Sequence, residues 1–290
     1  MLKHRVISGF LMGGASLAIL FFAPAGLSLL ILIAICALAQ LEFYVLIGHA
    51  QVPVHKTLGT FCGCLLIAVT FATLGFNVDP EHARGWDVIV AAFCFLAVCA
   101  RQLPERESKT PLQSISYTLL GILYIGFLLS FIARLGFTWG FDGVTNRISD
   151  TGQHLVLYLI ITVKFSDIGA YFVGSRFGKH KLSPRISPKK TWEGLAGGVA
   201  TSVIAGLVTL WLLGGALGSI AISLTHAIIL PVLLTLVGVT GDIVESLFKR
   251  AVGQKDSSST IPGMGGLLDV LDSLLFGAPV LYAYTLFFLV

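Results

Sequence analysis

Apolar runs of membrane length recur from one end of this 290-residue sequence to the other, with no soluble domain between them. A helix needs about 20 residues to cross about 30 Å of hydrocarbon, and lipid offers backbone polar groups no partner outside the helix itself. The pattern therefore dictates an all-α polytopic membrane protein. Nine spans are predicted, near 6–23, 26–47, 57–76, 87–100, 112–133, 154–173, 195–213, 220–241 and 273–290, the fourth being the shortest. Only 12% of residues are charged, against about 25% in soluble domains, and mean hydropathy is +0.90.

Orientation follows from the positive charges, because Lys and Arg are retained on the cytoplasmic side. With the N-terminus inside, fifteen Lys and Arg residues lie in cytoplasmic segments, among them Lys3, Arg5, Lys56, Arg101, Arg106 and Lys109. Three, Arg84, Arg134 and Arg147, lie on the other side, and Lys164 falls within a span. The C-terminus is then outside, and the chain reads as a multi-pass protein of the cell's inner membrane. These loops account for the net charge of +4, so nucleic acid binding is not invoked. The run after Lys3 and Arg5 ends in Ala23-Pro24-Ala25 like a signal peptide, but a second membrane-length run starts at once, so it is read as a retained span. Cys36, Cys62, Cys64, Cys94 and Cys99 all sit in apolar runs as small hydrophobes. Cys62 and Cys64, two apart, point to different helix faces.

The chemistry is uneven along the chain. Residues 1–153, about five spans, read as scaffold: Glu42 in LEFY is taken as a charge meeting interfacial water or a basic neighbour, with catalysis as the alternative, and NVDPEHARGW and 134–152 as external connections. Residues 154–290 carry the polar motifs, with cytoplasmic loops at 174–193 and 242–272. Lys164, Asp167 and Tyr171 share a helix face within the sixth span. Charges at that depth face a cavity or each other, and an ion pair that only fixes helix packing stays open. The loop from Gly174 to Gly194 holds six cations, Arg176, Lys179, Lys181, Arg185, Lys189 and Lys190. It also carries Ser183-Pro184, Ser187-Pro188 and Thr191-Trp192-Glu193-Gly194, which a mere topology signal does not require. Such a shaped basic loop suits a nucleotide or a lipid phosphate. Gly197, Gly198, Gly206, Gly214 and Gly215 are expected to serve close helix packing.

The densest chemistry runs from Asp242 to Ser273. Asp242, Glu245, Ser246 and Lys249 are spaced to share one helix face, and Asp269 and Asp272 share another. Lys249, Arg250 and Lys255 are of the type that holds phosphate oxygens, and the two aspartates of the type that holds a hard divalent cation. Between them Pro262, Gly263, Gly265 and Gly266 form a turn whose N–H groups could approach an anion. Carboxylates gathered from two helices are stable only with cations between them.

These stretches resemble the CDP-diacylglycerol synthase (phosphatidate cytidylyltransferase) family. Ser246, Lys249, Arg250, Lys255, Asp256, Pro262, Gly265, Gly266, Asp269 and Asp272 match its C-terminal signature, and Asp167 to Gly194 is similar to its middle motif. Met264 stands where the family has His, and Val270 where it has Arg. The resemblance implies cytidylyl transfer from CTP to phosphatidate, giving CDP-diacylglycerol and pyrophosphate, with Mg²⁺ as cofactor and the membrane lipid as partner. It implies Asp242 and Asp269 on Mg²⁺, with Glu245 and Asp272 in or near its coordination shell. Lys249, Arg250, Asp272 and Asp167 take catalytic roles on this reading, and Lys189, Lys190, Ser187, Lys255, Gly265 and Gly266 hold substrate. A second cation and a homodimer stay open. The alternatives are a CTP-dependent lipid-alcohol kinase and an anionic-solute transporter; the absence of a corresponding motif in the first half speaks against the latter.

Overall fold

A computed structural model describes all residues except 1, 76–79, 104–109, 143–146, 259 and 262–264; the side chains of 2–7, 75, 80–84, 141 and 142 are also left out. Arg106, Lys109, Pro262, Gly263 and Met264 thus lie outside the described residues. The helices in chain order are α1 (Leu2–Phe22), α2 (Ala25–Gly48), α3 (Lys56–Gly75), α4 (Pro80–Ala100) and α5 (Pro111–Phe137). They continue with α6 (Asp150–Phe177), α7 (Trp192–Leu212), α8 (Leu224–Ala251) and α9 (Leu267–Tyr284), the last running into a π-helical turn at Thr285–Leu289. Seven of them are long and apolar enough to cross a membrane. The apolar parts of α1 and α4, Ser8–Phe22 and Gly85–Ala100, are shorter. Among the described residues the strands form three two-stranded antiparallel hairpins: β1 (Phe141–Asp142) with β2 (Arg147–Ile148), β3 (Lys181–Ser183) with β4 (Ser187–Thr191), and β5 (Ala216–Leu217) with β6 (Ile220–Ala221).

Several expectations change. The stretch NVDPEHARGW is not all connection, since α4 begins at Pro80, a residue suited to a first helical turn. The 134–152 stretch holds the β1–β2 hairpin, and α6 starts at Asp150 because the Ser149 hydroxyl accepts from Gly152 N–H at 3.3 Å. Gly214 and Gly215 do not pack helices: with φ of 76° and 86° they turn the chain out of α7 toward β5. Gly197, Gly198 and Gly206 do pack, against Val173, Ser166 and Pro231 of neighbouring helices.

The main core joins α2, α5, α6, α8 and α9, and a smaller one joins α3, α4 and α5. The first half is fastened by polar side chains that donate to backbone carbonyls of neighbouring helices, as apolar surroundings demand. Buried Gln40 donates to Gly121 O at 3.1 Å and Gly59 O at 3.4 Å, and Tyr44 donates to Thr118 O at 2.9 Å, tying α2 to α3 and α5. Cys94 Sγ lies 3.8 Å from Cys62 O and Cys64 Sγ 3.8 Å from Ile33 O, so Cys62 looks to α4 and Cys64 to α2, as their spacing requires.

Candidate functional site

Helix α8 does not stop at its first charge but runs on to Ala251, carrying Asp242, Glu245, Ser246 and Lys249 along one side. Gly241 lets α9 come close: a Cβ there would stand 2.6 Å from Asp272 O. Lys249 Nζ lies 2.7 Å from Glu245 Oε2 on its own helix and, across this seam, 2.5 Å from Asp269 Oδ1. Asp269 is otherwise occupied, its Oδ2 accepting from Ser257 Oγ at 2.7 Å, Ser257 N at 3.1 Å and Gly266 N at 2.7 Å. It therefore starts α9 and holds a lysine.

The carboxylates that converge are Asp242, Glu245 and Asp272, each offering an oxygen within 4.8 Å of the others. Glu245 is 1% exposed, and its Oε1 has no hydrogen-bond partner among the described residues. An anionic oxygen left so is costly, and a cation between the three removes the cost. Three hard carboxylate ligands fit a small divalent ion. Asp272 Oδ1 accepts from the Ser273 backbone N–H and hydroxyl, and Asp242 Oδ1 from Ser246 Oγ at 3.4 Å.

The basic loop delivers one of its cations here. The β3–β4 hairpin pairs Lys181 with Thr191 and Ser183 with Ser187, so Ser187 is a hairpin residue. Its shape is set by Glu193, which accepts from Lys179 N at 3.1 Å and His180 N at 3.2 Å and meets His180 Nδ1 at 2.6 Å. Alternation along β4 then sends Lys190 inward and leaves Lys189 exposed. Lys190 Nζ lies 2.8 Å from Asp242 Oδ2 and donates to Val239 O at 3.1 Å. From α6, Lys164 Nζ donates to Val270 O at 2.7 Å and stands 3.9 Å from Asp167, while Tyr171 turns outward.

Other sequence-read residues stand apart. Arg250 and Lys255 are exposed, and Arg250 donates to Gln254 O at 3.3 Å. The two described turn glycines are spoken for: Gly265 N–H goes to Ile261 O at 3.2 Å and Gly266 N–H to Asp269, so neither N–H is open to an anion here. Gly265, at φ 97°, shapes the turn instead.

Two residues of the first half reach the site. Glu42, half-buried, accepts from Ser258 Oγ at 2.8 Å and from Leu268 N, in the first turn of α9, at 3.0 Å. Its being the first charge at membrane depth was the available signal. Tyr124 sits in a π-helical turn of α5, Ile122–Phe127, a feature frequent at functional sites. Its ring packs edge-on against Phe248 at 5.1 Å and near Phe276 at 6.2 Å, on the α8–α9 seam. Nothing in its apolar sequence neighbourhood marks it.

The fold and this cluster define a multi-pass membrane protein with an acidic and basic centre at one end of its bundle. The sequence model of the Cytidylyltransferase family matches residues 3–288, and the chain belongs to that family. A phosphatidate cytidylyltransferase of Staphylococcus haemolyticus is 30% identical over 281 residues, 92% of this chain and 95% of that one. That of Staphylococcus aureus strain COL is 31% identical over 279 residues with the same coverage. That of Haemophilus influenzae is 44% identical over 137 residues, 47% of either chain.

Proposed function

We propose that this chain transfers a cytidylyl group from CTP to phosphatidate, giving CDP-diacylglycerol and pyrophosphate for phospholipid synthesis. The observation that carries the reading is the acidic triad Asp242, Glu245 and Asp272 with Lys190 beside it, in a chain matched along nearly its whole length by enzymes of that name. Asp242, Glu245 and Asp272 would hold Mg²⁺, which when bound neutralises phosphate charge and draws phosphate oxygens into line. Asp269 is assigned to Lys249 and the start of α9 instead of to the metal.

A lipid phosphate oxygen forms the new bond to the α-phosphorus of CTP. The bond from that phosphorus to the α–β bridging oxygen breaks, and its electron pair leaves with pyrophosphate. The attacking phosphate is already largely ionised near pH 7, so no residue need remove a proton. Lys190 holds Asp242 in the structure and would turn to the nucleotide phosphates once a cation takes its place. Exposed Arg250, Lys189 and Lys255 gather the triphosphate electrostatically. The fifteen-to-three charge count supports a cytosol-facing site in the inner membrane, where CTP is available.

Purified protein supplied with CTP, phosphatidate and Mg²⁺ should release pyrophosphate in step with CDP-diacylglycerol. Label moving from the γ-phosphate of CTP to a lipid would replace this reading with a kinase.

A further inference from the structure

An apolar cavity of about 170 Å³ lies among α1, α2, α5, α6 and α9, lined by Leu32, Ala133, Val156, Ile160, Leu271 and Leu274 among others. One water needs only about 15 Å³, and a cavity of about 150 Å³ walled by such side chains stays dry and takes an apolar ligand. What lies beside its site-ward end distinguishes it from a packing defect. Ile160 is one helical turn from Lys164 on the same face of α6. On α9, Leu271 directly follows Val270, whose carbonyl holds the Lys164 ammonium at 2.7 Å. Lys164 is a third exposed, and among the described residues that is its one hydrogen bond, with Asp167 at 3.9 Å. Asp272, next on α9, is one of the three converging carboxylates.

We propose that Lys164 and this cavity form the seat of the lipid substrate, an anionic phospholipid with its phosphate on the Lys164 ammonium and part of one acyl chain in the cavity. The inference rests on the proposed transfer to phosphatidate and names where its lipid sits. Charge and shape both select the occupant. An ammonium with two further N–H donors wants an anionic oxygen, and a charge kept at this depth is costly without such a use. The apolar cavity beside it wants hydrocarbon. A nucleotide has the anion but no chain, and a neutral lipid has the chain but no anion. Lys190, which enters from the loop, is left for the water-soluble substrate, so the two substrates reach the carboxylates from different sides.

The test uses the full-length protein in nanodiscs of phosphatidylcholine. Lys164→Gln should raise KM for phosphatidate about tenfold and leave KM for CTP within twofold, with Lys164→Arg restoring most of the loss. Ile160→Trp, which fills the cavity, should raise KM for a dioleoyl phosphatidate at least fivefold more than for a dihexanoyl one. Titration with phosphatidate in the absence of CTP, followed by thermal stabilisation, reads the same seat without turnover. Equal rises in both substrates' KM for Lys164→Gln, or no chain-length dependence for Ile160→Trp, overturn the seat. If the wild type binds phosphatidate by stabilisation but makes no CDP-diacylglycerol, the transfer reading falls and the seat stands.

Discussion

At the scale of single residues, the two aspartates at the start of α9 have separate work, and substitution should part them. Asp272→Asn removes a charge from the triad of Asp242, Glu245 and Asp272. It should abolish pyrophosphate release at any Mg²⁺ concentration, with thermal unfolding shifted by only a few degrees. Asp269→Asn strips Lys249 of its 2.5 Å partner and weakens the acceptor of Ser257 and Gly266. Breaking a buried pair costs about 3 kcal/mol, so its unfolding midpoint should drop well below that of Asp272→Asn in the same detergent. The reverse order would return the metal to Asp269. Helical spacing made it legible that Asp242, Glu245, Asp269 and Asp272 gather. Which of them meets Lys249 and which faces the others depends on how α8 and α9 turn toward each other, and no spacing within one helix carries that. Val270 shows the same limit, because its carbonyl and not its side chain binds Lys164. Changing it to the arginine of the family pattern should leave turnover within about tenfold, a barrier change of about 1.4 kcal/mol.

At the scale of elements, apolar runs located the helices but not their ends. The runs read as ending at 173 and 241 and beginning at 273, whereas α6 ends at Phe177, α8 at Ala251 and α9 begins at Leu267. Helices α8 and α9 continue past their apolar runs because their polar residues lie on one side and find partners there, and hydropathy averages over all sides. The acidic triad comes from these two extensions. Glu42 supplies the matching support from α2, carrying the Leu268 N–H and the Ser258 hydroxyl. A hydrogen bond to a charged group contributes about 1.5–3 kcal/mol, so Glu42→Ala should speed amide exchange in the first turn of α9 by at least tenfold and leave α3 and α4 unchanged. Uniform exchange would make Glu42 an ordinary interfacial charge. The β3–β4 hairpin gives a second check: Lys190→Gln should raise KM for CTP several-fold, while Lys189→Gln, exposed beside it, should act weakly and lose its effect in high salt. Equal effects of the two would return the loop to a plain topology signal.

At the scale of the whole molecule, the two halves are less separate than composition implies. The motifs all lie after residue 153, yet Glu42 of α2 and Tyr124 of α5 stand at the α8–α9 site, and the core of α2 and α5 is continuous with that of α6, α8 and α9. The ends of the bundle differ in kind. One end gathers Glu42, Lys190, the triad and the β3–β4 hairpin, and the other holds the β1–β2 and β5–β6 hairpins, with Gly218 N donating to His154 Nδ1 at 3.0 Å and Ser219 N to Thr151 Oγ1 at 2.9 Å. The first end carries Arg176, Lys179, Lys181, Arg185 and Lys189, all exposed. An excess of lysine and arginine near span ends fixes the side retained in the cytosol, so this whole end should be cytosolic and the β5–β6 end external. Single cysteines in a cysteine-free background test the assignment on intact cells. Arg185→Cys at the tip of the β3–β4 hairpin should resist an impermeant thiol reagent until the membrane is opened, and Ser223→Cys, exposed at the start of α8, should label at once. Labelling of Arg185→Cys in intact cells would invert the protein and put the proposed site on the side without CTP, a result that would overturn the proposed transfer while leaving the helix packing untouched.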